Sequence, residues 1–112
     1  LDQIMLSARW FNEIWIIDHS TTTKEAAAHA GGKRGKGGDL IYRWGNPYAY
    51  FAGWPEDQLL FAQHDARWIP KSYPGGGNIL VFNNGLRNRF GYRRSSVMAI
   101  DPAPAGVATL KS

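Results

Sequence analysis

The 112-residue sequence predicts a mainly β fold made of antiparallel meanders, with one short helix in an insertion. Three observations carry that reading. Apolar, β-branched and aromatic runs recur along the chain, each closed by Gly, Pro, Asn or Asp. Only one segment has a convincing helix start. Two stretches far apart in the chain resemble each other, as repeated meanders would.

Taken in order, Gln3 to Arg9 is a short apolar strand followed by the aromatic pair Trp10-Phe11. Glu13 to Asp18 (EIWIID) has the content of a buried strand. Thr22 with Glu25 three residues later forms a capping box, so Lys24 to Ala30 is predicted helical, and Gly31-Gly32 ends it. A helix of about eight residues is marginal alone and leans on the body of the protein. Asp39 to Trp44 is the next strand and stops at the turn Gly45-Asn46-Pro47. The segment WPEDQLL that follows adds a single turn. Ala62 to Pro70, Asn78 to Asn83 and Ser95 to Asp101 are three further strands.

The internal likeness pairs Ile4–Arg9 and Glu13–Asp18 with Ile79–Asn84 and Ser96–Asp101. Each copy is a strand, a connection and a second strand ending in Ile-Asp. Repeated antiparallel meanders predict a β-propeller, in which each blade is one such unit. The chain then forms a single partial segment over 1–112, with a first blade at about 1–47, an insertion at 19–38 and a second blade at about 62–101. About two blades do not close a ring of ~4–8, so the chain reads as part of something larger. Its open strand edges favour homo-oligomers.

Composition removes several function classes. No cysteine is present, which excludes a thiolate nucleophile, a disulfide framework and cysteine-held metal. The uninterrupted apolar runs are about four to five residues long, as in Ile14–Ile17 and Ile79–Phe82, far short of the ~20 residues of a membrane span or the ~7–15 of a signal-peptide core. Residues 1–65 hold six Lys/Arg against eight Asp/Glu, while residues 66–112 hold seven against one. The basic second half suits an anionic substrate or partner.

Few residues have the chemistry of a site. His29 sits on the short helix near its C-terminal end, where a cation is mildly favoured. His19 follows a strand end in Asp18-His19-Ser20; adjacent residues do not build a catalytic triad, so a rim or substrate contact is the role it suits. His64 opens a strand between polar neighbours, and innermost propeller strands line the central channel. The residues alone favour a structural histidine there over a reacting one. The Gly31–Gly38 stretch lacks Walker spacing and reads as a basic loop. Arg87 to Arg94 interleaves cations and aromatics in the manner of single-strand nucleic-acid binders, and a polar connection between strands explains it equally. No His/Asp/Glu cluster has metal-ligand spacing, so no metal and no cofactor is expected.

Gln63-His64-Asp65-Ala66-Arg67-Trp68 followed by Gly77-Asn-Ile-Leu-Val-Phe-Asn-Asn-Gly85 resembles the bacterial arylsulfotransferases (aryl-sulfate sulfotransferases). Ser7-Ala8-Arg9 ahead of Glu13–Asp18, and Asp39 to Pro47, add to the likeness, which runs over nearly the whole chain. The resemblance implies a six-bladed propeller that moves a sulfuryl group from a phenolic sulfate ester to a phenol without a nucleotide donor. It implies His64 as the nucleophile that becomes a transient sulfohistidine, and Arg9 as the cation on the sulfuryl oxygens. His19, Trp68 and Asn84 are the candidate substrate contacts, with Trp10, Phe11 and Tyr92 as further walls for an aryl ring. The family's second histidine lies upstream of the arginine, so the chain by itself is expected to be inactive. Family members are commonly exported, which implies a periplasmic or secreted protein. The alternative is a non-catalytic propeller that binds ligands or proteins; nucleic acid is not an expected partner, and retention on heparin with a steep salt dependence is the observation that would make it one.

Overall fold

β-branched runs and tight polar turns give six strands in two sheets among the described residues. In this computed structural model residues 2–86 and 90–102 are described; Arg87, Asn88 and Arg89 of the basic–aromatic segment, and residues 103–112, lie outside them. β1 (Gln3–Ala8) and β2 (Glu13–Asp18) form a hairpin across a 3-10 turn at Arg9–Phe11, which Asn12 closes at φ 58°. Asparagine is among the residues that adopt this left-handed conformation most readily. β3 (Leu40–Trp44) pairs with the other edge of β2, giving the order β1-β2-β3. β4 (His64–Trp68), β5 (Ile79–Asn83) and β6 (Ser96–Ile100) make a second antiparallel sheet in the order β4-β5-β6. The mainly β prediction is met, and each predicted strand is present, most of them shortened at their ends.

The predicted helix is present but shorter. α1 spans Thr23–Ala27, and both capping-box bonds form: Glu25 N donates to Thr22 Oγ1 at 3.2 Å, and Thr22 N to Glu25 Oε1 at 3.1 Å. The same carboxylate accepts from Gly32 N at 2.8 Å, and His29 turns left-handed at φ 55°. That pull folds the chain back before residues 28–30 can extend the helix. The single turn expected after Gly53 is the 3-10 segment Pro55–Asp57; a second one, Pro47–Tyr50, was not foreseen.

One core joins the two sheets. Side chains alternate along a strand, and Ile14 and Ile16 of β2 point the same way as their partners Ser7 and Met5 on β1 and Trp44 and Tyr42 on β3. Across from them, Ile79 and Val81 of β5 share a face with Ile100 and Met98 of β6. Ile14, Ile16, Tyr42, Ile79, Val81 and Ile100, with Leu60 from the connection between the sheets, form the buried cluster, and Met5, Trp44 and Met98 pack against it. Burial pushes the Tyr42 phenol up to about 12, with Tyr50 and Asp101 adding to the shift.

The sequence repeat is also a structural one. Ile4 faces Ile17 as Ile79 faces Ile100, and Ala8 faces Glu13 as Asn83 faces Ser96, so the two hairpins keep one register. The third strand differs in place. It flanks the second hairpin strand in the first sheet and the first hairpin strand in the second. Superposing the repeats therefore yields a four-stranded meander, of which the first sheet holds strands two to four and the second holds strands one to three.

Candidate functional site

His64 stands at the start of β4, and its surroundings are set by backbone conformation. Ala62 and Asp65 on either side adopt φ 52° and φ 58°. Ala62 has no side chain that favours this; its N–H is held by Asn12 Oδ1 at 2.8 Å. At Asp65 the ladder slips: His64 pairs with Phe82 and Arg67 with Leu80, which leaves one extra residue in β4. Such a bulge reverses the alternation of the strand. His64 consequently shares the outer face with Phe82, Leu80 and Arg67, whereas Trp68 pairs with Ile79 on the core face.

The imidazole is exposed and rests on Phe82, with ring centroids 4.9 Å apart. No hydrogen bond or ion pair occupies its nitrogens among the described residues. Asp65 is engaged by the Arg67 guanidinium, and the pairing raises the Arg67 pKa.

Polar ties fix the chain just before His64. Gln63 is fully buried; its Nε2 donates to the Glu13 carbonyl at 2.9 Å and to Ser7 Oγ at 3.2 Å. Asn83 is the hub on the other side: Oδ1 accepts from Phe61 N and Gly85 N, and Nδ2 donates to the Leu59 carbonyl at 2.8 Å. The ties from Ser7 and Asn12 bracket the turn that carries Arg9. That turn and the His64 segment are thus fastened at one end of the molecule. Arg9 itself is exposed, with its guanidinium 5.2 Å from the Trp10 ring centroid, and among the described residues no hydrogen bond or ion pair joins it to His64.

The same end is rich in exposed rings. Asn46 Nδ2 reaches the Phe11 carbonyl at 3.5 Å, which sets the 47–54 connection beside the Arg9 turn. Tyr48, Phe51 and Trp54 line an open hollow of about 750 Å³ on that connection. Beneath it, the fully buried Glu13 carboxylate takes Arg43 Nη2 at 2.7 Å and Nε at 2.8 Å, and the guanidinium lies 4.5 Å from the Tyr50 ring centroid. The pairing with Glu13 raises the Arg43 pKa.

The other predicted contacts scatter. Trp68 packs against the core, its side chain on the opposite face of the sheet from the His64 ring, and borders a groove of about 440 Å³ with Arg67, Pro70, Tyr73 and Leu80. His19 Nδ1 pairs with Asp2 Oδ1 at 2.7 Å at the far end of β2 from Arg9. The Asn84 carbonyl accepts from Ser95 Oγ at 3.0 Å; the asparagine that organises the site is its neighbour, Asn83. His29 Nδ1 lies 2.5 Å from Asp39 Oδ1. Sequence reasoning missed Gln63, Asn83, Glu13 and the Tyr48–Trp54 rings; a charged residue opening the apolar run EIWIID was the one signal available for Glu13. Among the described residues, no group of three His, Cys, Asp or Glu is placed to hold a metal ion, and no helix is long and apolar enough to cross a membrane.

The insertion is pinned by carboxylates. Asp18 accepts from the Ser20 hydroxyl at 2.5 Å, Ser20 N at 2.9 Å and Arg34 N at 3.3 Å, and the Ser20 hydroxyl above all holds its pKa below 3.8. Bonds from Gly32 and Thr22 likewise lower Glu25 below 4.5. A carboxyl lowered on folding stabilises the fold above its unfolded pKa and ceases to do so as pH falls through its folded one. Amide-exchange protection at Gly32 and Arg34 is therefore expected to be full above pH 4.5 and to drop on acidification below both values. In Asp18→Asn the Arg34 protection should already be low at neutral pH and change little with acid.

Comparison of the chain with protein-family models, with curated proteins and with solved structures finds no match.

Proposed function

We propose that this chain supplies the reacting histidine of an aryl-sulfate sulfotransferase built on a β-propeller. The observation that carries the reading is the backbone bent to present His64. Two left-handed residues flank it, a bulge turns the ring away from the core, and the imidazole is left accessible and unbonded. Non-glycine residues in that conformation cost about 1–3 kcal/mol each and cluster at functional sites. The four-stranded repeat supports the propeller, whose blades have four strands. His64 then lies on the first strand of its blade, where a propeller gathers residues around its central channel.

The chemistry follows from the groups at this end of the molecule. A neutral imidazole nitrogen attacks sulfur, the bond from sulfur to the aryl oxygen breaks, and the aryloxide leaves with the electron pair. A phenol then attacks the sulfur of the sulfohistidine. Its proton goes to solvent, the N–S bond breaks, and the imidazole is restored. The sulfuryl oxygens stay negative in both steps, and Arg9 on the tethered turn is the cation that would hold them. Exposed Trp10, Phe11 and Trp54 give an aryl ring surfaces to stack on.

Transfer from 4-nitrophenyl sulfate to phenol, followed by nitrophenolate release in the assembled ring, tests this. His64→Ala is expected to abolish transfer and Arg9→Ala to reduce it about 100-fold. A wild-type rate in His64→Ala would make the histidine structural and the propeller a binding module.

A further inference from the structure

The interface inside this chain is of a kind that can be extended. Ile79 and Val81, on the inner face of the second sheet, pack against the first sheet. Their repeat equivalents in the first sheet are Ile4 and Leu6, which point outward and remain 40% and 41% exposed. Conversely, Met5, Ile14 and Ile16 of the first sheet pack against the second. Their equivalents are Leu80, Val97 and Ala99, which lie on the outer face of the second sheet, with Val97 64% exposed.

The front of one repeat thus meets the back of the next, and each open face is equivalent to one already buried within the chain. Such a contact is heterologous: the two surfaces differ, so satisfying one pair leaves another pair open. The open back carries Ile4, Leu6, Trp15 and Ile17; the open front carries Leu80, Phe82 and Val97. Apolar side chains predominate on both; the front also carries His64 and Arg67, and the back the paired Glu13 and Arg43.

We infer that the open front of the second sheet is an interface for a second copy of this chain, which seats the open back of its first sheet there, head to tail. The inference rests on the repeat and its packing and not on the reading of His64 as a nucleophile; a copy seated on the front would cover the His64 ring, which lies on that face against Phe82.

Sedimentation velocity on the 112-residue chain reads it directly. The wild type is expected to shift above its 12.5 kDa monomer mass as concentration rises. Leu6→Glu blocks the back and Val97→Lys the front, so each alone is expected to stay monomeric. An equal mixture is expected to form a dimer and stop there, because one intact front meets one intact back. Ile4→Lys serves as a second back variant, and far-UV circular dichroism matching the wild type certifies each fold. A wild type that stays monomeric at high concentration overturns the inference and leaves these faces to repeats of another kind. Single variants that still dimerise, or a mixture that stays monomeric, overturn it equally, since the contact would then be symmetric or elsewhere.

Discussion

Replacing Arg43 with methionine is expected to destabilise the protein by about 3 kcal/mol, among the largest effects available to a single substitution. The Glu13 carboxylate is 0% exposed and is held by two guanidinium bonds and by Trp15 Nε1 at 2.5 Å. Methionine retains the packing of the aliphatic stem and deletes the charge, so the carboxylate remains buried with one donor. The reverse change is milder. Arg43 keeps 33% of its side chain in solvent, so in Glu13→Gln the guanidinium can hydrate, and a loss of about 1 kcal/mol is expected. The double variant should recover most of the loss of Arg43→Met, because no charge is then buried unpaired. Urea melts of the four proteins check this. Equal losses in Arg43→Met and the double variant would show that the pair is not what the arginine contributes.

Leu60→Ala is expected to cost about 3 kcal/mol although the residue belongs to no strand. It is 0% exposed and sits in the core shared by both sheets. The Gly45 carbonyl fixes it by accepting from Leu59 N at 2.8 Å and Leu60 N at 3.2 Å. Gly45 has φ 125°, and a Cβ there would lie 2.6 Å from both the Asn12 carbonyl and Leu60 Cδ1. Nothing on that side can move in to refill the space. Leu59→Ala, next to it and half exposed, is expected to cost no more than about 0.5 kcal/mol in the same thermal or urea melts.

The parts of this fold that depend on local chemistry were legible in the sequence. β2 was predicted with its observed bounds because EIWIID is β-branched and apolar between polar ends. The capping box of α1 formed as Thr22 and Glu25 dictate, while the helix is shorter than predicted, with Gly32 N donating to the second oxygen of the same carboxylate. The site was harder to read because its determinants are registers and distant partners. Asn83 and Asn84 are chemically identical neighbours, and only the pairing of Asn83 with Ser96 turns the first inward. Glu13 finds its partner 30 residues away. His64 and Trp68, four positions apart, would share a face in a regular strand; the extra residue between His64 and Arg67 separates them.

That extra residue makes the position of the candidate nucleophile a matter of parity. Deleting Asp65 would close the bulge with Ala66 opposite Val81 and leave His64 opposite Phe82, still on the outer face. Drawing the bulge straight from Trp68 with every residue kept would instead set His64 opposite Asn83, on the side occupied by Val81 and Ile79, exchanging a solvent-facing imidazole for one turned toward hydrocarbon. Composition, charge and every side chain of the site would be the same; only the register against β5 would differ. In such a strand, counting residues matters as much as choosing them.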